Sequence, residues 1–167
     1  MCSGETREEA VNLGKKLQAE GISPLLVYSK ESSDSPEDIH NTEIEISKCI
    51  EATKALSRPV FVAIKLSGLS SDEELRRLER DIHNLAASSP SRGTPRFYAE
   101  ARSVLSRYPD LSGRLRRLAN VARRCNVELV LDAEVRFQGE VDSLPTSAIL
   151  SSMLNSTGSH VWNTHQM

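Results

Sequence analysis

Residues 127–134 read VELVLDAE, a short run rich in Val and Leu that ends abruptly in two carboxylates, Asp132 and Glu134. Such a run predicts a parallel strand covered on both faces. The acids would then stand at the strand's C-terminal end, where α/β proteins bind their ligands. Acids in that place also serve as helix caps and turn formers, so the stretch alone leaves both roles open for Asp132.

Comparable runs lie on either side. Residues 59–66, PVFVAIKL, carry Lys65 near their C-terminal end before a Ser-Gly turn, and residues 22–29 (ISPLLVYS) and 159–166 (SHVWNTHQ) complete a set of four. Pro24 lacks a ladder donor and belongs near the start of its strand. Helical patterns separate the four runs, which is the βαβα alternation of a parallel sheet or barrel.

Those helices show in the spacing of apolar residues. Residues 6–19 place Ala10, Val11, Leu13 and Leu17 on one side behind Thr6 and two glutamates, with Gly21 as the stop. Residues 30–41, rich in Ser, Asp and Glu, read as a surface loop, and helical spacing resumes over 42–56. After Leu69, Ser70 and Ser71 cap an acidic first turn, SSPSRGT at 88–94 breaks the pattern, and 98–108 form another short helix. Residues 69–112 therefore read as a helical insertion, and 113–125 as the helix that returns to the sheet. Its Arg114, Arg116, Arg117, Arg123 and Arg124 could suggest a phosphate site; a solvated helix face is the stronger reading. Residues 146–154 supply one more helix before the last strand.

Length and composition set the frame. The chain has 167 residues, of which 38% are hydrophobic and 26% charged, enough for one modest domain spanning 1–167. A complete eight-stranded (β/α)8 barrel needs about 250 residues, so four strands here amount to half a barrel with an open sheet edge. A net charge of −2 and a pI of about 6.1 argue against nucleic acid or an anionic membrane as the main partner. Cys2, Cys49 and Cys125 form no CxxC pair, so neither a disulfide framework nor a zinc site is expected, and no metal is assigned. No apolar run approaches a transmembrane length, and MCSGETREEA has neither a signal peptide's apolar core nor a transit peptide's composition. A chain that stops at Met167, directly after a strand, is expected to be a truncated one.

Taken together, the GET start, LLVYSKES, VAIKLSGL, LVLDAE and WNTHQM, in that order, resemble the FAD-dependent proline dehydrogenase family, most closely its eukaryotic form with a helical insertion after the second strand. The resemblance spans nearly the whole chain. It implies a distorted (β/α)8 barrel, of which these residues would form the N-terminal part, and the oxidation of L-proline to pyrroline-5-carboxylate, the first step of proline catabolism toward glutamate. It further implies electron transfer to a quinone and a mitochondrial location. Residue by residue, it makes Lys65 a substrate contact and Asp132 an active-site carboxylate. Ala133 would lie against the flavin, Gln166 would bind FAD, and Glu5 would belong to an ion pair gating the substrate entrance. The chain departs from the family pattern at Val27, where Asp is usual, and at His165, where Tyr is usual. The family's flavin-contacting arginine and the paired arginines that grip the substrate carboxylate lie outside these residues. Two other readings compete: a non-catalytic truncated paralogue or fragment that binds a partner through its open sheet edge, and an unrelated half-barrel enzyme using Lys65 and Asp132 as acid and base.

Overall fold

The computed structural model describes residues 6–28, 30, 35–90, 94–132, 144–155, 158 and 160–164. Within them, four strands form one sheet in the order β1 (Leu25–Val27), β2 (Phe61–Lys65), β3 (Glu128–Asp132) and β4 (Val161–Asn163), every neighbouring pair parallel. Sequence order thus equals spatial order, the arrangement of consecutive strands in a (β/α) barrel. The expectation of a partial barrel of four parallel strands holds. The strands are shorter than the apolar runs because residues such as Val60 and Val127, fully buried, pack just outside the ladder.

Six α-helices accompany the sheet among the described residues, α1 (Arg7–Ala19), α2 (Pro36–Ala52), α3 (Asp72–Ser88), α4 (Pro95–Leu105), α5 (Pro109–Cys125) and α6 (Leu144–Leu154), with short 3-10 turns at Thr53–Ala55 and Leu66–Gly68. Helix α1 opens with a capping box, in which Thr6 Oγ1 accepts from the Glu9 amide and the Thr6 amide donates to the Glu9 carboxylate, both at 3.2 Å. Helix α2 begins at Pro36, inside the segment expected to be loop. Ser35 caps it by accepting from the Asp38 amide at 3.0 Å, Pro36 fits the first turn, and Glu37 and Asp38 suit the helix N-terminus. Helices α3, α4 and α5 lie between β2 and β3 and pack into the main core through Leu75, Leu78, Ile82, Ala101, Leu105, Leu111 and Leu115.

Register decides which strand residues face those helices. Val62 and Ile64 of β2, Leu129 and Leu131 of β3 and Val161 of β4 all enter the core with Ile46, Ile50, Leu118 and Leu150 from the helices. Side chains alternate along a strand, so Leu25, Val27, Phe61, Ala63, Lys65, Glu128, Val130, Asp132 and Trp162 share the opposite face. The expectation that β3 is covered on both faces is therefore corrected. Its burial alternates, with Leu129 and Leu131 fully buried and Val130 half-buried, and the sequence hid the alternation because the open-face residue Val130 is itself apolar. Leu25, Val27 and Trp162 remain 52%, 47% and 54% exposed on that face. In a closed barrel it would be the interior.

The base of the sheet is tied by Arg58, whose guanidinium donates to the carbonyls of Thr53 (3.0 Å), Leu56 (3.1 Å) and Cys125 (2.6 Å). The arginines of α5 are also more engaged than a solvated face implies. Arg117 makes two bonds to Glu43 of α2 at 2.6 and 3.0 Å, Arg114 donates to the Leu69 carbonyl, and Arg123 donates to the Leu154 carbonyl at 2.6 Å. They fasten α5 to its neighbours.

Candidate active site at the C-terminal ends of the strands

Lys65 and Asp132 are register partners, the last rung of the β2–β3 ladder. Each strand runs through apolar residues just before that rung, 62–64 and 129–131, and is charged at it, so burial of Ile64 and Leu131 carries the charged residues to the mouth of the sheet rather than into the core. Neighbouring strands lie about 4.8 Å apart, and in-register side chains of a parallel pair leave the sheet on the same side, so both point from the uncovered face. Both are half-buried.

The next strand contributes as well. Thr164, immediately after β4, donates from Oγ1 to Asp132 Oδ1 at 2.9 Å, and its own amide donates to the Leu131 carbonyl at 3.1 Å. The carboxylate is thereby fixed by a neighbour whose backbone is already part of the ladder. Sequence reasoning passed over Thr164. The signal was present in the alternation of WNTHQ, which places residues 162, 164 and 166 on one face, with Thr164 two positions before Gln166.

Further toward the N-terminal ends, the same face holds a second polar group. Trp162 Nε1 donates to Glu128 Oε2 at 2.9 Å, and His160 Nδ1 lies 3.5 Å from Glu128 Oε1, a charged pair only when the imidazole is protonated. Between the two polar groups run Ala63 and Val130. The face is therefore a strip with an acid–base rung at its mouth and a Glu–Trp–His group at its base.

Of the residues singled out from sequence, the structure brings Lys65 and Asp132 together. Ala133, Gln166 and Glu5 lie outside the described residues, Ala133 directly after Asp132 and Gln166 two positions after Thr164. No three His, Cys, Asp or Glu side chains converge in metal-binding fashion among the described residues, and no helix among them is long and apolar enough to cross a membrane.

Comparison with known proteins agrees with this architecture. No family model matches the chain. The chain is 30% identical to hydroxyproline dehydrogenase of Rattus norvegicus and 31% identical to that of Mus musculus, in both cases along 98% of its own length and 41% of the relative's. It thus spans less than half of the curated relatives it matches. Among solved structures, it resembles proline utilization A of Bdellovibrio bacteriovorus inactivated by N-propargylglycine, with a TM-score of 0.61, 15% identity and coverage of 98% of this chain and 16% of that one. Proline utilization A with proline bound in remote sites gives a TM-score of 0.56 at 18% identity, covering 98% of this chain and 15% of that one. At such identities the structural likeness speaks for the fold alone.

Proposed function

We propose that this chain, which is similar in sequence to hydroxyproline dehydrogenases and shares its fold with proline utilization A, supplies the N-terminal part of a barrel that oxidises a proline-type imino acid with FAD. The observation that carries the reading is the Lys65–Asp132 rung, a cation and an anion side by side at the strand C-termini on the uncovered face. The substrate is an amino acid with a carboxylate and a ring nitrogen. The Lys65 ammonium suits the carboxylate, and Asp132, held by Thr164, suits the nitrogen and the positive charge that develops on it as the ring is oxidised. Oxidation of L-proline to pyrroline-5-carboxylate removes a hydride from C5 and a proton from nitrogen, and FAD, when bound, accepts the hydride.

Fit to the cofactor follows from the open face. Among the described residues, Lys65, Asp132 and Thr164 stand at the strand ends on the face opposite the helix-packed core, and Ala133 and Gln166, the two positions assigned to FAD, follow Asp132 by one and Thr164 by two positions in sequence. Four strands provide one side of such a site; near-attack alignment of substrate and flavin requires the other side too. Electron transfer to a quinone, a mitochondrial setting, the gating role of Glu5 and the status of residues 69–112 as an insertion in one barrel domain belong to the same proposal.

The rat and mouse relatives favour one variation, since both are named for hydroxyproline. Hydroxyproline keeps the carboxylate and the ring nitrogen of proline, so the same rung serves it. The test is dye-linked oxidation of L-proline and of hydroxyproline by this chain joined to the C-terminal remainder of the rat relative, with FAD added. Substrate-dependent dye reduction that disappears in Asp132→Ala supports the reading; a completed chain that binds flavin and reduces no dye with either substrate overturns it.

A further inference from the structure

Two side chains of the segment that precedes β4 reach back to the strand. Asn155, just after α6, accepts at Oδ1 from the amides of His160 and Val161, each at 2.9 Å, and donates from Nδ2 to the Val161 carbonyl at 2.7 Å. Four residues earlier, on α6, Ser151 Oγ accepts from Asn163 Nδ2 at 3.0 Å. Helix α6 joins two parallel strands, so it runs back against the direction of β4. Residues four apart on one helix face lie about 5–6 Å apart, and residues two apart along a strand about 6.6 Å. Order and spacing therefore match: Asn155 meets the start of β4, and Ser151 meets its end.

The Ser151 contact has a fixed direction. The hydroxyl donates to the Ala148 carbonyl at 3.0 Å, which leaves its lone pairs to accept from Asn163. The Asn163 oxygen is buried without a partner among the described residues, so the bond to Ser151 is what orients the side-chain amide. Val161, two positions earlier on the same side of the strand, enters the core, and an apolar residue at 163 would bury at lower cost than an amide whose oxygen is unbonded. What the amide adds is a tether. Asn163 is the register partner of Leu131, and the next residue, Thr164, donates its amide to the Leu131 carbonyl at 3.1 Å and its hydroxyl to Asp132 at 2.9 Å. Whatever holds Asn163 holds the backbone from which Thr164 reaches Asp132.

We propose that Asn163 is a positioning residue: tethered to α6 by Ser151, it sets the end of β4 so that Thr164 meets Asp132. Its effect passes through Thr164. The consequence for turnover rests on the dehydrogenase reading, whereas the tether joins two elements within this chain and is tested without any substrate.

Amide hydrogen exchange of the chain, resolved by NMR, is measured for the wild type, Ser151→Ala, Asn163→Leu and Ser151→Thr, which keeps the hydroxyl. In Ser151→Ala and Asn163→Leu the Thr164 amide should exchange at least about tenfold faster, while the Leu129 amide, bonded to the His160 carbonyl at the Asn155 end, stays within about twofold of the wild type. Ser151→Thr should behave as the wild type. In the chain completed by the C-terminal remainder of the rat relative, Ser151→Ala should lower kcat about fivefold to tenfold, and no further once Thr164→Val is present. If Ser151→Ala fails to fold, Asn163→Leu decides. Unchanged exchange at Thr164, an equal rise at Thr164 and Leu129, or a loss of kcat that adds fully to that of Thr164→Val would each overturn the proposal. A completed wild type that folds and shows no turnover counts against the dehydrogenase reading, and the exchange rates then decide the tether by themselves.

Discussion

Asp132 and Thr164 are joined across the β3–β4 boundary by a 2.9 Å hydrogen bond, on the same face and at the same end of the sheet as Lys65, the register partner of Asp132. Three successive strands thus meet at one mouth, each contributing a polar side chain at or just after its C-terminal end. Thr164→Val removes the bond while keeping the shape. In a completed, active chain it should lower kcat by about tenfold, the scale of one lost hydrogen bond to a charged group. The hydroxyl-bearing Thr164→Ser should recover most of it, a result that simple loss of strand packing does not predict.

The two faces of β3 predict unequal costs of truncation. Leu131 is fully buried against the helices, and Leu131→Ala should destabilise by about 2–5 kcal/mol in urea unfolding. Val130 stands half-buried on the open face, and Val130→Ala should cost about 1 kcal/mol or less. Equal losses at the two positions would contradict a sheet covered on one side.

Arg58 draws three backbone carbonyls together at the foot of β2 and β3. Arg58→Ala leaves those carbonyls with fewer donors and should cost about 1–3 kcal/mol, read as a lower urea midpoint with an unchanged slope.

How much of this was legible in the sequence differs between elements for physical reasons. The four strands and their order could be read because apolar runs and intervening helical periods are local signals, and the start of α1 could be read from Thr6 and the two glutamates that follow it, which the structure joins in a capping box. The first turn of α2 could not, since its Ser, Pro, Glu and Asp are loop formers and helix starters alike, and the outcome rests on the Ser35 cap. The one-sided burial of β3 was hidden by Val130, an apolar residue on a face that lacks cover. The anchoring of α5 arginines to Glu43 and Leu154 depends on partners 74 and 31 residues away, and no local pattern reports such pairs. In the site, Lys65 and Asp132 stood out as charges at the ends of apolar runs, whereas Thr164 needed the register of β4.

Tyr108 gives a pH signature of the helices between β2 and β3. Burial, reinforced by its 2.7 Å hydrogen bond to Asp81 Oδ2, pushes its phenol up to about 12. The protonated phenol is the form the fold favours, so this contribution to stability is complete below the ordinary tyrosine range near 10 and is lost as pH rises from there to about 12. Ultraviolet titration of the folded chain should show a late phenolate step that Tyr108→Phe abolishes, and the variant's stability should fall less over that interval than the wild type's.

The most direct test of the proposed site is the turnover of the chain completed by the C-terminal remainder of the rat relative, with added FAD and an artificial electron acceptor. The account predicts reduction of the acceptor dependent on L-proline or hydroxyproline, with kcat/KM lowered at least about a hundredfold by Asp132→Ala and KM raised by Lys65→Met. Flavin-loaded, folded protein whose turnover is unchanged by either substitution would contradict it.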